Sequence, residues 1–201
     1  SVDDVIQVAA DSYCEIELGR VATIRLDGDS EIALRDLVLT EDRSQVRVAL
    51  NRGAILSRVE QLARGSKYSI QTDTAVAGVR GTEFRTAVED DGAARVSVRE
   101  GRVAVRPKLP AVDDFVAGNA AQEEAAERVR ESLDDAAVPV EAGQELALAQ
   151  AEQGRALERL AGQTERMQEA IEGADDAALE DVNREVQNAA PSLQESLPRP
   201  A

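Results

Sequence analysis

The sequence has 201 residues and a formal net charge of -16, with no histidine, no tryptophan, one cysteine and one methionine. The lack of histidine excludes imidazole bases, histidine-activated nucleophiles and histidine-liganded zinc, and a single cysteine cannot form an internal disulfide. We therefore expect no catalytic residues, no cofactor and no metal site. A helix that spans a membrane needs roughly 18 or more consecutive apolar residues, and the sequence contains no such run.

The acidic residues are concentrated in the C-terminal half of the chain. Residues 1–111 carry a formal charge of -2, and residues 112–201 carry -14. Nucleic acids and anionic membranes attract basic surfaces, so we expect neither of them as a partner. The change in composition predicts a nearly neutral region followed by an acidic region of different structure.

Short runs in which apolar and polar residues alternate follow one another through residues 1–106. Alternation of this kind places one face of a β-strand in a core and the other face in water. The predicted strands are residues 5–8, 14–18, 23–26, 31–34, 45–50, 68–72, 83–88, 95–98 and 102–105. Turn signals separate them at residues 27–29, 51–53, 64–66, 90–92 and 100–101. This spacing predicts a sandwich, a barrel or a solenoid.

The glycines of residues 78–82 (GVRGT) superficially resemble a phosphate-binding loop. The Lys-Ser/Thr ending of such loops is missing, and strand patterns lie on both sides. We therefore interpret this segment as a bulge or a tight turn.

Helical periodicity begins at about residue 113. Apolar residues at 126, 129 and 133 predict an acidic helix over about residues 113–135, inserted before two further strands at 138–140 and 145–148. After residue 150, Leu157, Leu160, Met167 and Ile171 predict a second helix, and a third helix should follow Asp175 or Asp176 and end near Pro191. Residues 150–190 should form an acidic helical hairpin, and residues 191–201 a flexible tail.

Residues 68–84, YSIQTDTAVAGVRGTEF, contain a motif centred on Arg80, Gly81, Thr82 and Phe84. A Glu-Gly-x-Val turn follows, and an Ala-Gly segment lies further along the chain; their residues are Glu100, Gly101, Val103, Ala142 and Gly143. Together with segments 12–18, 26–34 and 51–56, these motifs resemble the FecR family of extracytoplasmic domains. The resemblance covers residues 1–149 and assigns the motif residues a structural role.

The resemblance implies a mainly β fold, a sandwich or solenoid-like stack of short strands, that carries an inserted helix and a C-terminal helical hairpin. It also implies a location outside the cytoplasm and no enzymatic activity. Because the chain starts at Ser1, we expect it to be a processed or truncated form, with any export signal or anchor preceding it.

The second half of the β region is rich in arginine. Six residues could form a partner-facing patch or pair with the acidic tail: Arg80, Arg85, Arg95, Arg99, Arg102 and Arg106. The alternative is that they are scattered surface cations, each of which contributes roughly 0–1 kcal/mol when paired in solvent.

Three functions are compatible with these features. The first is a non-enzymatic binding or scaffold module of the bacterial cell envelope, with an envelope protein or a surface glycan as its partner and with self-association through the helical tail as an option. The second is a periplasmic signal-transduction regulator that relays the state of a receptor. The third, disfavoured by the scarcity of aromatic residues, is a carboxylate-based hydrolase of envelope polysaccharides.

Overall fold

The structure, a computed structural model, describes residues 4–40, 43–115 and 119–201. Two predictions extend beyond these ranges. Residues 1–3 and 41–42 of the β region, and residues 116–118 of the inserted helix, lie outside the described residues. The strands are β1 (Val5–Gln7), β2 (Cys14–Leu18), β3 (Ala22–Leu26), β4 (Glu31–Leu39), β5 (Ser44–Val59), β6 (Lys67–Gln71), β7 (Ala75–Val79), β8 (Thr82–Val88), β9 (Ala94–Glu100), β10 (Arg102–Pro107), β11 (Val138–Glu141) and β12 (Glu145–Leu148). The helices are α1 (Pro110–Asp113), α2 (Ala120–Asp134), α3 (Gln150–Arg159), α4 (Ala161–Gly173) and α5 (Asp176–Ser196).

The long strand β5 joins all the strands into one continuous sheet with two parts. The first half of β5 lies in what we call the first sheet, of order β1-β4-β5-β6-β7-β10-β11. From Gly53 onward β5 lies in the second sheet, of order β2-β3-β5-β8-β9-β12. All the described pairs are antiparallel except β5 with β6. Along the chain, most strands come as neighbouring pairs within one sheet: β6–β7 and β10–β11 lie in the first sheet, and β2–β3 and β8–β9 lie in the second.

Glycines with positive φ stand where the chain passes from one sheet to the other. These corners are Gly53 within β5, Gly81 between β7 and β8, Gly101 between β9 and β10, and Gly143 between β11 and β12. A left-handed backbone costs an L-residue energy because its Cβ crowds the neighbouring carbonyl. The glycines of the sequence motifs are therefore the residues that bend the sheet.

The apolar residues of both sheets face a common core. Its two largest fully buried side chains are Tyr68 and Phe84, whose rings pack edge to face with centroids 6.4 Å apart. The Tyr68 hydroxyl lies 3.0 Å from the Ser57 hydroxyl, so its polar end is hydrogen-bonded. Burial nevertheless raises the pKa of Tyr68 well above its ordinary value.

The predicted fold class is confirmed: strands hold 40% of the residues and helices 32%, so the chain is mainly β with C-terminal helices. The finer expectation of a sandwich or solenoid is not confirmed. The continuous sheet, bent at its glycine corners, is barrel-like.

The strand predictions differ from the structure at three places. The strand predicted at residues 31–34 continues to Leu39 in β4. Residues 51–53, predicted as a turn, are a bend inside β5, because both edges of the strand remain hydrogen-bonded on either side of Gly53. Strand β7 has no alternating pattern, because four of its five residues are buried on one face or the other. The interpretation of residues 78–82 as a tight turn agrees with the turn between β7 and β8.

The helices form a second hydrophobic core beside the sheet. Val129 and Leu133 of α2 pack there with the stripe Leu160, Met167 and Ile171, and with apolar residues of α5. The Asn119 side chain caps α2, and Asp175 caps α5 by accepting hydrogen bonds from the Ala177 and Ala178 amides. The stripe is therefore buried within one chain.

The helical region also differs from expectation in its boundaries. The predicted second helix is divided into α3 and α4 at Leu160, whose φ and ψ are -104° and 11°. Helix α5 continues through Pro191 to Ser196, because the lost backbone hydrogen bond is offset by burial of Leu193 beyond the proline.

The chain end, expected to be flexible, contacts the β region. Leu197 is 5% exposed and belongs to the core of the sheets. The Ala201 amide and carbonyl both bond with the backbone of Glu145, at 2.9 and 3.0 Å. These two contacts cover one end of the free edge of β12 and tie α5 to the second sheet.

We predict that Gly101→Ala destabilises the fold by about 2–4 kcal/mol, because a Cβ at this position (φ 85°) would meet the Gly81 carbonyl oxygen at 2.7 Å. Gly143→Ala is the matched control, since Gly143 has nearly the same φ of 81° but open space around a Cβ. The control should lose about 1–2 kcal/mol. Urea unfolding of both variants measures the difference, and equal losses would show that the close approach at Gly101 contributes nothing.

Candidate functional site

A groove of about 800 Å³ lies on the outward face of the first sheet, beside helix α2. Its floor comes from the first half of β5 and from β6, β7 and β10. The in-register row Ser69, Gly78 and Ala104 crosses three of these strands. Because these residues are small, the sheet surface is open to a ligand along this row. The volume is within the usual range for ligand pockets, about 300–1,000 Å³.

Acidic residues of α2 form one wall of the groove and pair with cations of the sheet. The Lys67 ammonium donates to Glu127 and to Glu131, the latter at 2.8 Å. Arg47 lies 3.0 Å from Asp36 and 3.9 Å from Glu127. Burial alone would raise the pKa of Glu127, but Lys67 and neighbouring arginines lower it below its ordinary value. Glu127 is therefore an ionised anchor rather than a proton donor.

The strongest contact between sheet and helices is made by Arg106 of β10, whose side chain is 5% exposed. Its two terminal nitrogens donate to the two Asp113 carboxylate oxygens at 2.8 Å, and its Nε donates to Asp134 at 2.7 Å. The Leu109 amide also donates to Asp113. Burial would raise the pKa of Asp113, but the Arg106 charge and these hydrogen bonds hold it below its ordinary value.

The groove is basic although the chain is acidic. Seven of its lining residues are basic and four are acidic, which gives a lining charge of +3 in a chain of net charge -16. The cations are Arg47, Arg64, Lys67, Arg80, Arg102, Arg106 and Arg130. Arg64 and Arg80 are exposed. Among the described residues, neither has a carboxylate within 4.0 Å.

The six arginines of the expected partner patch do not share one surface. Arg80, Arg102 and Arg106 line the groove. Arg85, Arg95 and Arg99 lie on β8 and β9 of the second sheet, where they pair respectively with Asp27, with Glu89 and Glu145, and with Glu83. The two sets are separated because the chain crosses to the second sheet at Gly81 and returns to the first sheet at Gly101.

The motif residues occupy the corners and the core. Gly81, Gly101 and Gly143 are corner residues, and Phe84 and Val103 are fully buried. The Thr82 hydroxyl donates to the Arg102 carbonyl at 2.9 Å, across the corner between β7–β8 and β9–β10. Glu100 and Ala142 are exposed beside their glycines.

Sequence reasoning missed Arg47, Arg64 and Lys67 as groove residues. Arg47 and Lys67 stand at outward positions of alternating strands, where a cation is ordinary. The i,i+4 spacing of Glu127 and Glu131 does place two carboxylates on one face of α2, and this was an available signal. The pairing of β5 with β6 was the missing information.

The described residues 4–40, 43–115 and 119–201 contain neither a candidate metal cluster nor a helix that could span a membrane. Among these residues, no group of three or more acidic, cysteine or histidine residues is arranged to hold a metal ion. None of the helices there is long and apolar enough to cross a membrane.

The family model described as FecR protein matches residues 4–104, which is half of the chain. The chain belongs to the FecR family. The matched region includes nearly all of the first ten strands and three of the glycine corners. A search of curated proteins gave no significant match.

Two solved structures resemble this FecR chain. Both are crystal structures of a proposed anti-sigma factor from Parabacteroides distasonis, at 1.65 and 2.50 Å resolution. Each aligns with a TM-score of 0.50 and 16% sequence identity, over 73% of this chain and 55% of the other. At this identity the likeness concerns the fold, and the chain spans about half the length of that protein.

We predict that Arg106→Met destabilises the chain by roughly 3–5 kcal/mol, because it leaves the Asp113 carboxylate buried without its charge partner. Replacing both partners, as in Arg106→Met with Asp113→Leu, should recover part of this loss. Arg95→Met is the control, since Arg95 also contacts two carboxylates but is 39% exposed, and it should lose less than about 1 kcal/mol.

Urea unfolding at neutral pH measures all three variants. The pKa of Asp113 is lower in the folded protein than in the unfolded chain, where it is about 4. The ion pair of Asp113 therefore stabilises the fold at pH values above the unfolded-state pKa. This stabilisation is lost as the pH falls through the lower pKa of the folded state. A double variant no more stable than Arg106→Met would contradict the buried-charge explanation.

Proposed function

We propose that this FecR protein is an extracytoplasmic signal-transduction regulator that acts by binding a protein partner in the groove. The main support for this proposal is the basic groove on a domain of the FecR family. This groove lies directly against α2, a helix of the second hydrophobic core. The similar structures support a regulatory role, since they are described as a proposed anti-sigma factor. Shared fold, rather than close relationship, links them to this chain.

Helix α2 gives the groove a direct route to the rest of the helical region. One face of α2 carries Glu127 and Glu131 on the groove side, and another carries Val129 and Leu133 in the helical core. A partner that displaces the carboxylates of α2 from Lys67 would therefore shift a helix that packs against α4 and α5. In this proposal, binding on the sheet is read out by the helices.

A binding role accounts for the groove better than the hydrolase alternative. A carboxylate hydrolase needs one acid whose pKa is raised and a second that acts as base or nucleophile. In this groove Glu127 has a lowered pKa, and Glu131 and Asp134 are engaged by Lys67 and Arg106. These carboxylates balance cations, which is a structural task.

The second candidate function is a scaffold module of the cell envelope. The ion pairing between α2 and the sheet favours it, because a wall held by three sheet cations, Arg47, Lys67 and Arg106, would present a fixed surface rather than a movable one. Its partner would be an envelope protein or a surface glycan. The two functions differ in whether occupation of the groove changes transcription.

We predict that deleting the gene in its source bacterium changes transcription of a defined set of genes, and that the wild-type full-length gene restores it. A gene carrying Lys67→Glu should fail to restore it, because the new carboxylate repels Glu127 and Glu131 and disrupts the groove wall. Arg95→Glu is the matched charge reversal on the second sheet and should restore transcription.

RNA sequencing of the four strains, with immunoblots to check protein level, provides the measurement. An unchanged transcriptome in the deletion strain would reject the regulator and leave the scaffold function. Equal failure of both variants at normal protein level would show that the groove has no special part in the function.

A further inference from the structure

The charge of the groove is asymmetric along its length. Next to α2, carboxylates of the helix neutralise the sheet: Glu127 and Glu131 bind Lys67, and Asp134 binds Arg106. This half of the groove therefore binds carboxylates, which α2 of the same chain provides. In the other half, only Arg102 has a carboxylate partner among the described residues, and that partner is Glu141 of β11.

Two arginines face one another at the open end of the groove. Val79 of β7 is paired with Val103 of β10 in antiparallel register, so Arg80 and Arg102, the next residues outward, stand on neighbouring positions. Like charges at such positions repel each other. Arg102 pairs with Glu141 at 2.7 Å, but Arg80 has no carboxylate within 4.0 Å in the described part of the chain.

A third cation, Arg64, extends the open end. It precedes β6 in the loop between β5 and β6, lines the same groove and is exposed. Among the described residues it too is without a carboxylate within 4.0 Å. The open end therefore presents two guanidinium groups whose preferred partner, a carboxylate in a paired geometry, is not supplied by the described residues.

The groove is better suited to a peptide than to a sugar or a base. Sugars and bases are commonly held by stacking on exposed aromatic rings. The one aromatic residue that lines the groove is Tyr68, whose ring is buried and whose hydroxyl is bonded to Ser57. The floor row consists instead of Ser69, Gly78 and Ala104, whose side chains are small and include one hydroxyl group. An extended peptide backbone therefore has room to lie along the sheet.

We propose that the open end of the groove binds an acidic, extended segment of the protein partner, with carboxylates on Arg64 and Arg80. This inference rests on the proposed function and adds the chemical class of the partner. The bound segment would continue the row of carboxylates that α2 begins with Glu127 and Glu131.

The test is fluorescence anisotropy with the full chain and a fluorescein-labelled eight-residue peptide of alternating glutamate and serine. The same peptide with glutamine in place of glutamate is the ligand control. Binding of the acidic peptide should weaken roughly tenfold in the Arg64→Gln/Arg80→Gln variant, because two charge-assisted pairs are lost. It should also weaken as salt is raised, since the pairs are exposed.

Arg20→Gln/Arg99→Gln is the matched variant. It removes the same charge from exposed arginines outside the groove and should bind the acidic peptide as the wild type does. Circular dichroism of both variants checks that they are folded. Equal binding by the two variants, or equal binding of the acidic and glutamine peptides, would overturn the proposal.

Two further outcomes would also overturn it. Stronger binding of an oligogalacturonate than of the peptide would assign the open end to an anionic glycan. Loss of a dimer in the Arg64→Gln/Arg80→Gln variant, seen by sedimentation velocity, would assign it to the acidic helices of a second copy. If the peptide fails to bind while Lys67→Glu still abolishes regulation, the class of partner is wrong and the regulator stands.

Discussion

One buried guanidinium joins the two halves of this protein. Arg106 leaves the sheet at β10 and is held by both oxygens of Asp113 and by Asp134. A charge taken out of water is costly unless its hydrogen bonds are satisfied, so this arrangement permits few alternatives. It fixes α1 and the end of α2 over the outward face of the first sheet, and the position of the groove wall follows from it.

The rest of the contact between sheet and helices is polar and more exposed. Lys67 and Arg47 meet Glu127, and Gln153 bonds to the carbonyls of Asp73 and Lys108 at 2.8 and 3.0 Å. Lys67 is 33% exposed, so solvent screens its ion pairs more than it screens those of Arg106, which is 5% exposed. Apart from Leu197, which belongs to the core of the sheets, the two hydrophobic cores are separate, and the contacts between them are polar ones that another charged group could replace. This is the physical basis for treating α2 as a reporter of groove occupation.

The strands could be predicted from the sequence where one face is buried and the other faces water. Alternation identified β2, β3, β8 and β9 to within a few residues. It failed for β7, whose sequence AVAGV contains no polar residue, and for the second half of β5, where Gly53 was taken for the end of a strand rather than a bend within it. The helical stripe of Met167 and Ile171 was also readable, because its period of 3.6 residues is set by burial on one side.

The groove could not be predicted in the same way. Arg47, Lys67 and Glu127 come from three elements, and Lys67 and Glu127 are separated by 60 residues of sequence. Nothing local marks an outward lysine of β6 as the partner of a glutamate on α2. The docked chain end was missed for a related reason, since the destination of Leu197 is a core formed by strands far earlier in the chain.

The most direct test of this account is hydrogen exchange followed by mass spectrometry on the intact chain, comparing the wild type with Arg106→Lys. Lysine keeps the charge but cannot hold both oxygens of Asp113 together with Asp134. We expect faster exchange in α1 and α2, with β8 and β9 unchanged, because the helices open locally when their ion pair with the sheet is weakened. Unchanged exchange in α2, or an equal increase in every element, would contradict the claim that Arg106 holds the helices on the sheet.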